Sequence, residues 1–488
     1  MQYLSFIFVI FVILVWGLYY VFPQKYRWTI LLFASLIFYL SYDKRYLLFL
    51  LFVAITTFFG ARFGRSKRRN KENFILCILV NICLWFIIKW LPGSWNWINS
   101  IGKLFSAGFQ LPMFSIIAPV GISYYVLLAI SYIVDVYKKR IKPEKNFGKY
   151  LLYLAYFPTI VQGPISKYEQ VRENLTAGKR IDYSALRKSL LLILIGLTKK
   201  MVIADRIAIW VNYCFDNYSD LQGIILYVGA LCYSIQLYMD FSGCVDICRG
   251  VSALFGIELM DNFKAPYFSK SIKEFWNKWH ISLSTWLKDY VYIPLGGNRK
   301  GKNRKYINLL LTFLVSGVWH GSGLTYIVWG ILHAMYQIVG DATTSIRRKI
   351  KNILGIEEDS LSDKVYRTII TFNLTLFAWI FFRAGRLLNA VEYIERMFGS
   401  INAWMLFDGS LFSQGIQFSE FIVLVINICF IVFVDWLKVK REKDIENYVL
   451  EAHTLVRWCC YIVLIFNIIL FGVYGTGYDA SGFLYGGY

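Results

Sequence analysis

Apolar runs of near membrane-spanning length, separated by short polar and basic connections, recur along the whole chain. Tyr3 to Phe22, Trp28 to Tyr42, Tyr46 to Ala61 and Phe74 to Trp90 are each long enough, or nearly so, to cross a hydrocarbon core about 30 Å thick as a helix. Similar runs lie at Met113 to Val134, Tyr150 to Val161, Leu190 to Trp210, Gly223 to Phe241, Ile307 to Trp329, Val365 to Phe382, Phe418 to Trp436 and Val456 to Val473. The pattern predicts an all-α integral membrane protein with roughly eleven to thirteen membrane helices, interrupted ones included. No Pro/Ser-rich linker or low-complexity tract separates soluble domains, so residues 1–488 read as a single polytopic domain.

Two regions depart from simple spans. Ala118-Pro119-Val120-Gly121-Ile122-Ser123 interrupts an apolar run, as a broken helix lining a cavity does. From Asp261 to Tyr306 aromatic residues alternate with lysines and arginines, a mixture that lipid-exposed helix cannot carry. Within it Ile272, Phe275, Trp276, Trp279, Leu283, Trp286 and Leu287 recur at spacings of three and four, which predicts short amphipathic or re-entrant helices. On one such helix Trp276, His280 and Ser284 align, with Asn277 and Lys273 nearby. Pro294 to Arg299 is turn chemistry, closed by the basic run Lys300 to Lys305. Ser94 to Gln110 is amphipathic enough for the outer surface, while Gly64 to Glu72 and Asn352 to Lys364 read as solvated loops.

Composition agrees with the pattern. Hydrophobic residues make up 57% of the 488 and charged residues 17%, and the mean hydropathy is +0.49, outside the range of ordinary soluble domains. The net charge of +21 sits in the loops between spans, where membrane proteins carry it, so nucleic-acid binding does not follow. The basic loops Arg62 to Lys71 and Lys138 to Lys149 predict cytoplasmic placement, and counting spans backwards predicts an extracellular N-terminus. Met1 to Phe22 lacks a basic n-region and a small-residue cleavage site, so it reads as a first span. The nine cysteines mostly fall within apolar runs, without metal-ligand spacing to a histidine, and read as packing residues.

Of the four histidines, two occupy tryptophan-flanked motifs, Trp279-His280 and Trp319-His320. An ionisable residue inside a membrane is a candidate functional residue by default. A neutral imidazole, with a pKa of about 6.5, enters an apolar interior at lower cost than a carboxylate and still accepts a proton from a hydroxyl. Acyl transfer to a hydroxyl needs such a base, alignment of donor and acceptor, and hydrogen-bond donors for the developing oxyanion, which Trp or Asn N–H groups can supply. For His280 the plainer alternative is an interfacial ring anchored between tryptophans. For His320 it is a buried ring satisfied by Ser316 or Ser322. His333 reads as a helix-packing histidine and His453 as interfacial. Asp240 is expected to pair with a lysine or arginine of the 261–306 segment. Walker, Rossmann and Gly-x-Ser-x-Gly signatures are absent.

The ordered set Gln236-Leu-Tyr-Met-Asp240-Phe-Ser-Gly243, Phe275-Trp-Asn-Lys-Trp-His280-Ile-Ser-Leu-Ser-Thr-Trp286, Tyr292-Ile-Pro-Leu-Gly-Gly-Asn298 and Ser316-Gly-Val-Trp-His320-Gly321 resembles the membrane-bound O-acyltransferase family. Tyr156-Phe-Pro158, Gln162-Gly-Pro164-Ile and Phe381-Phe-Arg383-Ala384 fit the same bacterial branch, that of alginate O-acetylation and teichoic-acid D-alanylation. The matches cover about residues 119–384.

The resemblance implies a ring of tilted helices around a thin centre, with a cytoplasmic and an extracellular funnel. It implies a catalytic His320 and a donor-side His280, with Gln236, Asp240, Trp276, Asn277, Trp279, Ser284, Trp319 and Gly321 as candidate substrate-binding residues. The expected reaction carries acetyl from a cytoplasmic thioester, acetyl-coenzyme A or an acyl carrier protein, to an extracellular polysaccharide or to a partner transferase with its own serine nucleophile. No bound cofactor is expected, and the setting is a bacterial cytoplasmic membrane, with its lipids as neighbours. Three alternatives stay open: D-alanyl transfer from a carrier protein to teichoic acid, a transporter or flippase, for which broken helices and a basic entrance also speak, and a scaffold that recruits the partners of an envelope-modifying complex without consuming a donor. The tail Ser481 to Tyr488 is a candidate partner contact.

Overall fold

The computed structural model describes residues 1–63, 70–105, 117–412 and 417–474. The expectations for the loop core at 64–69, for the end of the 94–110 segment and for the tail 481–488 lie outside the described residues. The described chain is helical throughout, with no strand. Contacts divide it into two compact units, Met1–Ile193 with Ile247–Met260, and Leu194–Asp246 with Asp261–Tyr478.

The first unit contains α1 (Phe6–Val21), α2 (Arg27–Leu40), α3 (Tyr46–Phe63), α4 (Asn70–Phe105), α5 (Ile122–Tyr137), α6 (Phe147–Ala155), α7 (Tyr168–Ala177) and most of α8 (Tyr183–Leu197). The backbone of α4 stays helical past Pro92 as far as Phe105, so residues 94–105 extend this helix instead of starting a separate surface element. The interruption at Pro119–Gly121 has a packing cause. Gly121 has φ +79°, and a Cβ there would overlap the Ile160 carbonyl, so α5 starts against the 156–166 loop at a point that admits only glycine. The apolar run 150–161 correspondingly stops being helical at Ala155.

In the loop after α5, Glu144 accepts the Tyr168 hydroxyl and the backbone N–H groups of Lys145 and Asn146, and its own N–H donates to Tyr132. Burial alone raises its pKa, and these donors more than offset burial, holding the carboxyl below its ordinary value.

The second unit contains α9 (Asp205–Asp216), most of α10 (Ile224–Leu254), α11 (Ile272–Lys278), α12 (Ile281–Leu287), α13 (Lys302–His320), α14 (Leu324–Ala342), α15 (Thr344–Ile353), α16 (Leu361–Arg383), α17 (Leu387–Phe398), α18 (Phe418–Arg441), α19 (Ile445–Glu451) and α20 (Thr454–Phe471). Between α8 and α9 the chain winds as a π-helix over Thr198–Ala204. The run 307–329 is two helices and not one span. α13 ends at His320, Gly321–Gly323 turns the chain, and α14 runs back along α13. The turn works because the two backbones touch: a Cβ on Gly317 would overlap the Tyr326 carbonyl, and one on Gly330 the Phe313 carbonyl.

Among the described residues five helices are long and apolar enough to cross a membrane, at 71–94, 224–254, 361–383, 418–441 and 454–471, and shorter apolar helices lie at 6–21, 46–62 and 122–137. Outward-facing aliphatic side chains on α1, α18 and α20 fit a lipid surround.

Two expectations follow. Gly317→Val should lower stability by about 1–3 kcal/mol or prevent folding, since the α13–α14 contact cannot relax around two methyl groups; a thermal midpoint in detergent equal to that of the native protein would refute the contact. Glu144→Gln should lower the midpoint at neutral pH. A depressed carboxylate pKa contributes stability above the unfolded value of 4.5 and loses it as pH falls through the folded value, so the difference should shrink in acid.

Candidate functional site

All the candidate residues of the 236–333 motifs lie in the second unit, and the structure gathers most of them around one aromatic cluster. His280 is fully buried between α11 and α12 with φ +43°, and His320 is buried at the last turn of α13. Trp319 approaches both rings, with its centroid 6.3 Å from His280 and 4.8 Å from His320. Phe241 of α10 meets His280 edge-on at 4.7 Å. Trp329 and Phe382 each approach His320 at 5.1 Å, and Tyr326 at 6.4 Å.

The expected stack of Trp276, His280 and Ser284 on one helix face does not form. α11 stops at Lys278, Trp279 is extended, and His280 turns the chain into α12. The cause is a competing partner for the backbone. Asn262 accepts the Ile281 N–H on its carbonyl at 3.0 Å and the Ser282 N–H on its side-chain oxygen at 2.9 Å. Those two groups would otherwise need carbonyls of a continuous helix. The seven apolar positions of the segment are all buried as their spacing predicts, because two short helices on a common core satisfy the same periodicity as one long helix.

Asn262 was not among the sequence candidates, and an isolated asparagine in an aromatic stretch carries no spacing signal. A backbone N–H can only donate, so the atom facing Ser282 is the amide oxygen. The same oxygen lies 3.5 Å from Nδ1 of His280, a contact at the outer limit of hydrogen bonding.

The remaining candidates separate. Trp276 is buried and donates its indole N–H to Nδ1 of His333 at 3.2 Å. An indole nitrogen only donates, so His333 accepts at Nδ1 and carries its proton on Nε2. This fits the expected packing role, and Trp276 serves it. Nε2 of His333 has no hydrogen-bond partner among the described residues. Trp279 is buried among Tyr238, Phe263, Phe275 and Trp379. Ser284 donates to the Trp279 carbonyl at 3.3 Å, which ties the turn to α12. Asn277 and Lys273 are exposed, away from the cluster. Gly321 leaves room for the Tyr326 ring, which a Cβ would meet at 2.7 Å. Ser316 does not satisfy His320, because its buried hydroxyl has no hydrogen-bond partner among the described residues. His453 caps the exposed start of α20.

Gln236 and Asp240 lie one turn apart on α10, both buried. The Gln236 side-chain oxygen has no hydrogen-bond partner among the described residues. Asp240, expected to meet a cation of the 261–306 segment, pairs with Lys200 of the π-helix. Lys200 also pairs with Asp205 at 2.8 Å, and the neighbouring Lys199 pairs with Asp246 at 2.6 Å. The wide π turn places two consecutive lysines against α10. Gly243 permits this approach, since a Cβ there would lie 2.8 Å from the Gly196 carbonyl. Lys200 and Asp240 stand 40 residues apart, beyond the reach of any local pattern. Phe241, which packs on His280, directly follows Asp240.

The arrangement brings two buried imidazoles into one aromatic cluster and sets them at the ends of helices where Gly321 and the His280 turn interrupt regular backbone.

Helices of membrane-spanning length and the comparisons together make this a membrane-embedded acyltransferase. Residues 80–384 match the membrane-bound O-acyltransferase family. The chain belongs to that family and is an O-acyltransferase. It is 35% identical over 436 residues to the probable alginate O-acetylase AlgI of Pseudomonas syringae pv. tomato, covering 88% of this chain and 80% of that protein. The peptidoglycan O-acetyltransferase of Helicobacter pylori is 33% identical over 401 residues, 76% of this chain and 73% of that one. The teichoic acid D-alanyltransferase of Bacillus subtilis is 30% identical over 282 residues, 56% and 70% of the two chains.

Lys200→Met removes the cation shared by the buried Asp240 and the partly buried Asp205 carboxylates and should cost about 3–5 kcal/mol. Adding Asp240→Asn should restore part of it, giving a coupling of more than about 1 kcal/mol in a thermal-unfolding double-mutant cycle. Additive effects would show that the pair does not act as a unit.

Proposed function

We propose that this protein transfers an acetyl group from a cytoplasmic thioester, acetyl-coenzyme A or an acyl carrier, to a hydroxyl of an extracellular polysaccharide or of a partner transferase. In this reading it lies in a bacterial cytoplasmic membrane with its N-terminus outside, which the basic loops at 62–71 and 138–149 support. His320 is the general base. It takes the hydroxyl proton as the oxygen attacks the thioester carbonyl; the C–O bond forms, the C–S bond breaks, and the proton passes to the departing sulfur. His280 assists on the donor side. With Asn262 accepting from Nδ1–H, the basic nitrogen of His280 is Nε2.

The observation that carries this reading is the placement of both motif histidines around Trp319 in one buried cluster. Acetyl is preferred to D-alanyl because the likeness to the alginate O-acetylase spans 88% of the chain, against 56% for the D-alanyltransferase. A flippase remains the rival of a different class.

Vesicles holding the purified protein, with acetyl-labelled coenzyme A inside and candidate acceptors outside, separate the readings. Covalent label on an outside hydroxyl is expected. Unmodified labelled precursor outside indicates transport, and transfer only from a D-alanyl carrier indicates the D-alanyl reaction. His320→Ala should lower the rate by roughly 10²–10⁴, with His280→Ala less severe. A folded His320→Ala protein transferring at the native rate removes the central assignment.

A further inference from the structure

The most exposed amphipathic element of the second unit belongs to none of the motifs. α15, Thr344–Ile353, follows α14 directly and contains no buried residue. Ile346, Ile350 and Ile353 recur at spacings of four and three, which puts them on one face, and they are 58%, 49% and 83% exposed. Leu354 extends the stripe. On a helical projection Arg347 and Lys349 flank this stripe on opposite sides, while Lys351 lies round towards the protein. There Lys351 pairs with Asp363 at the start of α16, at 2.6 Å, and Arg348 pairs with Glu358 at 3.3 Å. The two internal pairs fix the helix with its isoleucines and Lys349 exposed, while the exposed Arg347 beside the stripe also donates to the Gly340 carbonyl and the Thr344 hydroxyl.

A second cationic feature lies at the same end of the α13–α14 hairpin. Lys305 and Tyr306 near the start of α13 meet Asp341 at the end of α14, at 2.7 and 3.0 Å. This sets the exposed Arg299, Lys300, Lys302 and Arg304 at the end where α15 begins. α15 is also followed within a few residues by α16, a candidate span, so it stands at the end of a spanning helix, at the level where hydrocarbon gives way to headgroups.

We propose that α15 is an interfacial anchor. Its isoleucine stripe inserts at the boundary between acyl chains and headgroups, and Arg347 and Lys349, supported by the basic turn 299–304, bind anionic phospholipid headgroups. The argument is one of chemical complementarity. An apolar stripe edged by cations whose long stems reach past the hydrocarbon boundary matches a negatively charged bilayer surface. An acidic protein would satisfy the charges but would not by itself call for an outward aliphatic stripe at the end of a span.

Hydrogen exchange of backbone amides 344–354 tests this independently of enzymatic activity. The full-length protein is measured in detergent, in phosphatidylcholine nanodiscs and in nanodiscs containing phosphatidylglycerol. Exchange should slow from detergent to phosphatidylcholine, and again with phosphatidylglycerol by roughly fivefold per engaged cation. The double variant R347E/K349E should lose the phosphatidylglycerol-dependent part alone, and I346S/I350S should lose protection in both bilayers. Equal exchange in all three surroundings overturns the proposal, as does protection that arises only when an acidic acyl carrier protein is added.

Discussion

The Lys200 ammonium, shared between Asp205 and Asp240, is the contact on which the candidate site depends. A carboxylate buried in an apolar helix costs several kcal/mol unless a counter-charge meets it at close range. That requirement ties α10 to the π-helix 198–204 in a single register, since a slide of one residue along α10 would strand Asp240. Gly243 lets the backbones come close enough for the pair to form. Because Phe241 follows Asp240, the same register delivers the aromatic edge that packs on His280. The charge pair thus sets the position of a ring it does not touch.

Around this anchor the enclosure is built from rings instead of aliphatic side chains. Trp319, Trp329 and Phe382 surround His320 by edge-on contacts, an arrangement that aromatic quadrupoles favour. Such walls are rigid, and their indoles bring N–H donors without matching acceptors. Trp276 uses its donor on His333, which fixes that ring as a neutral packing element and distinguishes it from the two motif histidines.

Much of this was legible in the chain. The buried set from Ile272 to Leu287 followed from spacing, and His280 and His320 followed from the cost of placing polar rings in apolar sequence. Phe382, within the Phe381 to Ala384 element, proved to pack on His320. Other features were not legible. Nothing local marks Asn262 as the group that breaks the 272–287 helix, and nothing places Lys200 opposite Asp240. The run 307–329 concealed a hairpin, because a glycine turn between two apolar helices has the same hydropathy as one long span. Asn277 and Trp276 are adjacent in sequence but project about 100° apart on a short helix, one exposed and the other buried.

By itself, then, the sequence determined the class of the molecule: a helical membrane protein with two tryptophan-flanked histidines and basic connections. Composition and periodicity are sums over neighbouring residues, and burial of a helix face depends on little else. Only the tertiary structure decided that Asn262 breaks the 272–287 helix, that Trp276 is the partner of the packing histidine His333, and which cation meets Asp240. Those outcomes depend on which distant donor or charge reaches a buried group, and such partners stand far apart in sequence.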